Sequence, residues 1–539
     1  FASNPIKEHE LEGKGKVRNE NTDPEQENEL VLHFDVNKTI IMIDKAAGKS
    51  TSDLLNIVIA NAAWGHIHKG EEGEGKAVWK LFSKNPSILS PGEGLITYSS
   101  FVEKTHPFSR NIKRKITKKS RDALTTTFTN PGQPGSRLRG FVESLRHKLQ
   151  LPSAVVGTKL SRQAGLDGAE VYLLPSFLRA LRTLKESKRK FSVIFRTFGS
   201  DLLDVAREFN AFCCGVHPLH VGFRMDGSDG QPDMRLFIPG APTSFPTKGS
   251  SFRTEEAAKC SVELENSVEF KGQPRFGSID RSEQTVTLAL GTLKQRKSAS
   301  DGYPFSHVAK ERIITGKRNI YNFFKKAVSR GPLSLAIRDC FVHWREHSQA
   351  GNAGKLFVLD SINLQEGKQQ IFFDDNIQYH NAKIVDICDI RSPDVSVPLP
   401  RAIGRFLVRA EPLESITNES YYVNKIKQCE ESFRRSFKIR TQLRKSLLKC
   451  PKIQQTLRSI HNDQARTPSP QKPYIPWPKL PEICRSSTST TFEEVSEPST
   501  PQTRVGSPVL RTQRSLPTTA KEKWKMEVKI ANKASHFKP

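Results

Sequence analysis

The segment Glu29–Ile43, ELVLHFDVNKTIIMI, constrains the fold more than any other part of the chain. A mostly apolar run leads into Asp35, and a second apolar run follows at residues 40–43. Such a run is typical of a strand that is buried on both faces of a parallel sheet. In open α/β sheets, ligands bind beyond the carboxyl ends of the strands, where Asp35 would lie. The alternative is a strand that ends in a turn, with Asp35 and Asn37 as turn-forming residues.

Three further segments combine an apolar run with a polar side chain at one end. Phe191–Gly199, FSVIFRTFG, carries Thr197 after its apolar residues, and KLFVLD begins at Lys355. Gln370–Ile377, QIFFDDNI, closes on two adjacent aspartates. Adjacent carboxylates resist joint ionisation, so the acidic pair indicates a site that a cation would stabilise.

In this order the four segments resemble the motifs of the haloacid dehalogenase superfamily. The first motif of that superfamily is an apolar strand followed by DxDx(T/V), which reads DVNKT from Asp35 to Thr39 here. The second is a Ser or Thr that closes a strand, and Thr197 matches it. The third is a lysine upstream of the last motif, here Lys355. The fourth is an acidic pair, here Asp374 and Asp375.

The resemblance spans residues 30–391 and implies a fold and a set of roles. The fold would be α/β, with a three-layer Rossmann-like core, a parallel sheet and an inserted helical cap. Asp35 would be the nucleophile that forms an aspartyl-phosphate, while Thr197 and Lys355 would bind the phosphoryl oxygens. Mg²⁺ would be held by Asp35, by the backbone carbonyl of Asn37 and by Asp374 or Asp375, since Mg²⁺ prefers oxygen ligands. We therefore expect these side chains to converge at the carboxyl edge of a parallel sheet.

The chain departs from the superfamily pattern at Asn37, where phosphatases of this kind carry the aspartate that acts as general acid and base. An amide cannot donate and recover a proton, and such help contributes typically 10²–10⁴-fold. We therefore predict a slow Mg²⁺-dependent phosphohydrolase or phosphotransferase. The first alternative is a non-catalytic protein that binds a phosphorylated ligand or a protein partner. The second is a binder of nucleic acid or acidic membranes through its basic cap and tail.

The charge and cysteine content limit the class of partner and compartment. The formal net charge of +27 suits phosphorylated or otherwise anionic substrates, nucleic acid or acidic membrane surfaces. No nucleic-acid-binding signature is present, which makes nucleic acid the less favoured partner. No apolar run approaches the ~20 residues that a membrane helix needs. The eight cysteines show no CxxC spacing, so we expect a reducing compartment, cytoplasmic or nuclear.

Composition and periodicity predict a core that is interrupted by insertions and flanked by polar tails. The C-terminal tail carries several Ser-Pro and Thr-Pro pairs, and we expect it to offer a site for a protein partner. The predicted divisions share this basis and are as follows: disordered 1–28; α/β core 29–59 and 170–400, with a loop-rich insertion at 225–302; cap insertion 60–169; basic helical extension 401–460; disordered tail 461–539.

Apolar periodicity predicts individual elements within the core. Helices are expected at residues 51–59, 173–185, 201–212, 318–324, 333–344 and 415–460. Strands are expected at residues 234–238, 285–288 and 383–390, in addition to the motif strands. The helix at 333–344 would direct Lys355 towards the site.

Overall fold

The computed structural model describes residues 29–68, 77–108, 114–236, 275–282, 285–298, 300–329, 331–360, 368–378 and 384–448. The predicted disordered regions, 1–28 and 461–539, lie outside these residues. The described strands are β1 Glu29–Asp35, β2 Trp64–His68, β3 Val78–Leu81, β4 Ile96–Thr97, β5 Phe191–Thr197, β6 Phe276–Arg281, β7 Val286–Leu290, β8 Ile313–Thr315, β9 Ser334–Arg338, β10 Lys355–Leu359, β11 Lys368–Asp374, β12 Val385–Asp389, β13 Ser392–Ser396 and β14 Leu407–Arg409. The described α-helices are α1 Thr51–Ala62, α2 Tyr98–Thr105, α3 Arg114–Thr126, α4 Arg139–Leu149, α5 Lys159–Gln163, α6 Pro175–Glu186, α7 Leu202–Cys213, α8 Lys317–Ser329, α9 Phe341–Glu346, α10 Leu399–Ala402, α11 Pro412–Thr417 and α12 Tyr421–Leu448.

A large, mostly parallel sheet forms the centre of the protein. Its strand order is β14-β11-β1-β5-β9-β6-β7-β8, and β14 to β6 run parallel to their neighbours. The last two strands are antiparallel. This confirms the predicted α/β class. Strand β1 lies between β5, the next strand of this sheet along the chain, and β11, so the strand order reverses at β1.

Both faces of the central sheet are covered, which explains the nearly continuous apolar strands. Leu30, Leu32 and Phe34 of β1 point to one face, where α1, α6, α7 and the start of α12 pack. Val31 points to the other face, against α8 and strand β10. Because successive side chains alternate between faces, each strand contributes to both cores. The fold therefore has three layers.

A helical cap is predicted between α1 and α6, but this insertion is only partly helical. It also contains a three-stranded antiparallel sheet of order β3-β2-β4. The ring of Tyr98 stacks on that of Phe128 with centroids 4.4 Å apart, and Trp79 packs edge-on to Tyr98. All three belong to the same apolar cluster as β1. A Cβ on Gly65 would lie 2.3 Å from the Lys80 carbonyl oxygen, so only glycine permits this strand pairing. The insertion therefore extends the main core.

A second, three-stranded sheet of order β10-β12-β13 covers the other face. Lys355 is the first residue of β10, and the helix predicted to direct it, residues 333–344, is wrong. Ser334–Arg338 forms β9, and only Phe341–Glu346 is helical. Short apolar runs do not distinguish a buried strand from a buried helix, and the place beside β5 selects the strand here.

Other predicted elements are distributed as follows. The helices near 51, 173, 201 and 318 are confirmed as α1, α6, α7 and α8, and two strands are confirmed as β7 and β12. Met234–Leu236 is not in a strand, while 237 and 238 lie outside the described residues. The core does not end at residue 400, because β14 pairs with β11 and the buried Tyr421 and Tyr422 of α12 join the main apolar cluster.

Two further findings concern the described residues alone. None of their helices combines the length and apolarity that crossing a membrane requires. Their cysteines, at positions 213, 214, 340, 388 and 429, are all free and buried.

A buried ion pair within the central sheet also contacts the second sheet. The Arg196 guanidinium of β5 donates to both carboxylate oxygens of Asp339, from Nε at 2.9 Å and from Nη2 at 2.5 Å. Nη2 also donates to the carbonyl oxygen of Leu356 in β10 at 2.9 Å. Both charged side chains are about 1% exposed. A buried charge is tolerated only when it is paired, so this contact fixes the position of β10 against β5.

We predict that Asp339→Ala lowers the free energy of unfolding by about 3–5 kcal/mol, because it leaves the Arg196 guanidinium buried without its counter-ion. Urea denaturation measures the change. The control is Glu186→Ala, which breaks an exposed Arg182–Glu186 pair and should cost under about 1 kcal/mol. Similar small losses in both variants would contradict the assigned role of the buried pair.

Candidate active site

Three aspartates meet at the carboxyl edge of the central sheet. Asp35 ends β1 and Asp374 ends the adjacent β11, and the register pairs Phe34 with Phe373 one residue earlier. Carboxylate oxygens of Asp35, Asp374 and Asp375 all lie within 4.8 Å of one another. Parallel pairing therefore produces the predicted convergence of the first and fourth motifs.

Lys355 completes this cluster from the second sheet. Its ammonium donates to Oδ2 of Asp374 at 2.8 Å and to Oδ1 of Asp35. The side chain is 1% exposed. Burial alone would lower the pKa of Lys355, but attraction to Asp35 and Asp374 outweighs it and raises that pKa. The lysine is therefore held charged between two carboxylates, and its predicted proximity to them is confirmed.

The loop after β1 supplies two more polar contacts. The carbonyl oxygen of Val36 accepts hydrogen bonds from three backbone amides, those of residues 39, 40 and 41, and so winds the loop tightly. Lys38 lies in the left-handed region at φ 60°, and its ammonium pairs with Asp375. The Thr39 hydroxyl donates to Asp35 Oδ2 at 3.0 Å and accepts from the Asp375 amide at 3.2 Å. Thr39 thus orients both acidic residues.

Thr197 and Asn37 belong to a neighbouring polar network. Along β5, Thr197 has the parity of Val193 and Phe195, which face the opposite core from Asp35. Its hydroxyl donates to Asn37 Oδ1 at 3.3 Å and accepts from the Gly199 amide at 2.8 Å. Among the hydrogen bonds of the described residues, none joins Thr197 directly to the three aspartates. Thr197 is therefore adjacent to the cluster through Asn37, and its phosphate contact stays a prediction.

The Asn37 amide is fully engaged. Its Nδ2 donates to the carbonyl oxygen of Ile43 at 2.9 Å and to Asp201 Oδ2 at 3.1 Å. Tyr172 donates its hydroxyl to the other carboxylate oxygen of Asp201 at 3.2 Å. A Cβ at Gly199 would lie 2.7 Å from Asp201 Oδ2, so a larger residue there would displace the carboxylate that contacts Asn37. These contacts fix Asn37 in one orientation.

Sequence reasoning missed two members of this site. Asp201 stands at the N-cap position of α7, where an aspartate usually caps a helix, but its side chain makes no capping bond and contacts Asn37 instead. The raised pKa of Asp201, due first to burial, reflects that position. Lys38 was named only as part of the first motif, although a lysine three residues after a strand-end aspartate was the available signal.

The cluster carries an excess of negative charge. Three carboxylates face two ammonium groups, those of Lys38 and Lys355, which leaves one charge uncompensated. Burial, and then Asp374 and Asp375, raise the pKa of Asp35 to about 8 although Lys355 opposes them. Burial also raises the pKa of Asp375. The site is therefore most stable when it holds an additional proton or cation.

The donor atoms suit a hard divalent cation. All three acidic side chains offer oxygen, and one or two carboxylates are the usual protein ligands of Mg²⁺. Asp35, Asp374 and Asp375 would hold it. A contribution from the Asn37 carbonyl stays a prediction.

One cavity lies away from the three aspartates. A cavity of about 60 Å³ is lined by Val31, Lys368 and residues of α8, at the opposite end of β1 from Asp35.

No protein-family model matches the chain, and no curated protein or solved structure is significantly similar to it. The residues of the site are therefore the basis for inferring its function.

We predict that Asp35→Asn stabilises the metal-free protein increasingly as pH rises. The pKa of Asp35 is above its ordinary value of 3.8, so the folded form binds a proton more tightly than the unfolded chain. The contribution of this bound proton to the free energy of unfolding is complete below pH 4 and is lost as the pH rises towards 8. Between pH 5 and pH 8 the stability of the variant relative to wild type should rise by at least about 1 kcal/mol. Urea denaturation in EDTA at pH 5 and pH 8 would refute this if the two proteins had parallel pH dependences.

We also predict that Mg²⁺ raises the melting temperature of the full chain. A ligand that binds only the folded state adds about 2.7 kcal/mol at 100 times its Kd. Differential scanning fluorimetry with Asp374→Asn plus Asp375→Asn should show no shift. The control is Asp226→Asn plus Asp229→Asn in a surface loop, which should retain it. A shift that persists in the first double variant would place the cation elsewhere.

Proposed function

We propose that the protein is a Mg²⁺-dependent phosphohydrolase or phosphotransferase of the haloacid dehalogenase type. The observation that carries the proposal is the Lys355 ammonium, which contacts both Asp35 and Asp374 where parallel strands end. The strand order reverses at β1, and such reversals are where open α/β sheets bind their ligands. A nucleophile, a fixed cation and two further carboxylates are therefore combined at a ligand-binding edge.

The proposed reaction has two displacements. In the first, a carboxylate oxygen of Asp35 attacks phosphorus, the bond from phosphorus to the leaving oxygen breaks, and an aspartyl-phosphate forms. In the second, water attacks phosphorus, phosphate leaves and the carboxylate is regenerated; an alcohol in place of water would give transfer. Lys355 and Thr197 would offset the charge on the phosphoryl oxygens, and Thr39 would orient the attacking carboxylate. Mg²⁺, when bound, would supply further charge stabilisation.

Asn37 determines the limits of the proposed activity. Its amide cannot act as a general acid, and the hydrogen bonds that it donates to Ile43 and Asp201 hold it in place. The leaving oxygen would therefore depart without protonation by this residue. We expect slow turnover that favours leaving groups which are stable as anions.

A second candidate function is binding of a phosphorylated ligand without catalysis. Two observations favour it: each of the three carboxylates has an ammonium partner in this structure, and Asp35 is only 5% exposed. A phosphate group could replace the carboxylates as the partner of these ammonium groups without any covalent step. The alternatives of nucleic acid and acidic membranes, and the role of the C-terminal tail, stay predictions.

Substitution of Asn37 must take its neighbour Asp201 into account. A carboxylate at position 37 would face Asp201 at about 3 Å, where like charges repel, so Asn37→Asp alone should gain little. We predict that Asn37→Asp together with Asp201→Asn raises the turnover of an alkyl phosphate by up to on the order of 10²-fold. Aryl phosphate turnover should rise less. Steady-state kinetics with Mg²⁺ measures both substrates.

Two controls accompany this experiment. Asp201→Asn alone shows how much of the effect comes from loss of the Asp201 carboxylate rather than from the new carboxylate at position 37. Asp35→Asn should abolish turnover of both substrates because an amide is not a nucleophile. If wild type and the double variant are both inactive while phosphate still binds, the non-catalytic function is preferred. If Asp35→Asn retains activity, the aspartyl-phosphate mechanism is wrong.

A further inference from the structure

Three aromatic side chains, Phe198, Phe341 and Trp344, form a cluster beside the candidate site; we refer to them as the aromatic cluster. The Phe198 and Trp344 rings stack with centroids 5.2 Å apart and an interplanar angle of 21°. Phe341 packs edge-on to Phe198 at 5.9 Å and lies 6.1 Å from Trp344. Aromatic pairs at these separations attract one another, and the exposed part of the Phe341 ring can pack against a further ring.

The position of the aromatic cluster follows from the sheet. Phe198 comes directly after Thr197, and α9 follows the neighbouring parallel strand β9, so both reach the same edge as Asp35. The Phe198 ring centroid is 5.3 Å from the Lys355 ammonium, which contacts Asp35 and Asp374. Phe341, at the outer side, is 40% exposed. The cluster thus forms a continuous aromatic path from the buried lysine to solvent.

The chemistry of the site independently limits the leaving group. Without a proton donor at Asn37, the leaving oxygen departs as an anion. A phenol such as that of tyrosine has a pKa near 10, whereas water has a pKa of about 15.7. A phenolate is therefore a far better leaving group than an oxyanion as basic as hydroxide. A phenolic ester also carries a flat ring next to its phosphate. The same substrate class therefore satisfies both the missing proton donor and the aromatic cluster.

We infer that the site acts on phosphate monoesters of phenols, with the phosphate at Asp35 and Lys355 and the aromatic ring against Phe198, Phe341 and Trp344. This inference rests on the proposed function and specifies its substrate class. Asp35 displaces the phenolate, which takes a proton from water, and water then hydrolyses the aspartyl-phosphate. The net reaction converts an aryl phosphate and water into a phenol and inorganic phosphate, with no redox change.

The test compares phenyl phosphate with ethyl phosphate on the full chain with Mg²⁺. For wild type we expect a larger kcat/KM with phenyl phosphate. Phe341→Ala and Trp344→Ala should each lower the ratio of the phenyl to the ethyl value by about 2- to 10-fold, the worth of one aromatic contact. Phe141→Ala removes a ring of similar exposure, 37%, from α4 and should leave that ratio unchanged. An unchanged ratio in both cluster variants would overturn the inference while leaving the proposed function intact.

A binding measurement keeps the inference testable without turnover. Asp35→Asn should bind phenyl phosphate about 2- to 10-fold more tightly than ethyl phosphate by calorimetry, and Phe341→Ala in that background should remove the difference. Ring-dependent binding without catalysis in wild type would overturn the proposed hydrolase but retain the ligand class. Equal affinity for the two esters would overturn the ligand class.

A phosphotyrosine peptide distinguishes the source of the phenol. Peptide turnover comparable to that of phenyl phosphate identifies a protein side chain as a substrate, and turnover of phenyl phosphate alone identifies small aryl esters. Both results support the inference. Absence of ring-dependent turnover and binding for both compounds would overturn it.

Discussion

The contact of the Lys355 ammonium with Asp35 and Asp374 is the interaction on which the rest of the structure depends. A buried ammonium is tolerated only when opposite charges surround it, so the start of β10 must lie over the ends of β1 and β11. The Arg196–Asp339 pair imposes a second requirement of the same kind, because Arg196 also contacts the Leu356 carbonyl. Charge pairing therefore adds two fixed contacts to the apolar packing between the two sheets.

The site combines two polar networks because a strand places successive side chains on opposite faces. Asp35, Asp374 and Lys355 lie between the sheets, whereas Thr197, Asn37 and Asp201 lie towards the helices. The loop after β1 joins the networks, since Thr39 contacts Asp35 while Asn37 contacts Thr197. The two networks therefore reach the same edge of the sheet from its opposite faces.

The sequence predicted the elements whose signal is local. Apolar runs located β1, β5 and β11, and parallel pairing explains why Asp35 and Asp374 converge. The prediction that a helix at 333–344 directs Lys355 to the site is wrong. Lys355 begins a strand and reaches this edge only through the alignment of two sheets, which no local pattern encodes. Residues 333–344 were mistaken for one helix because burial on both faces removes the alternation that marks a strand. Asp201 has the signature of a helix cap, and only the tertiary approach of Asn37 recruits its carboxylate.

The left-handed conformation of Lys38 makes position 38 a point of conflict between local backbone preference and the charge of the site. A non-glycine residue there costs roughly 1–2 kcal/mol, and glycine would remove that cost. Glycine would also leave Asp375 without its ammonium partner and deepen the negative charge of the cluster. Lys38→Gly would therefore relax the backbone and at the same time leave the carboxylate cluster more negative, so its two effects on stability oppose one another at this single position.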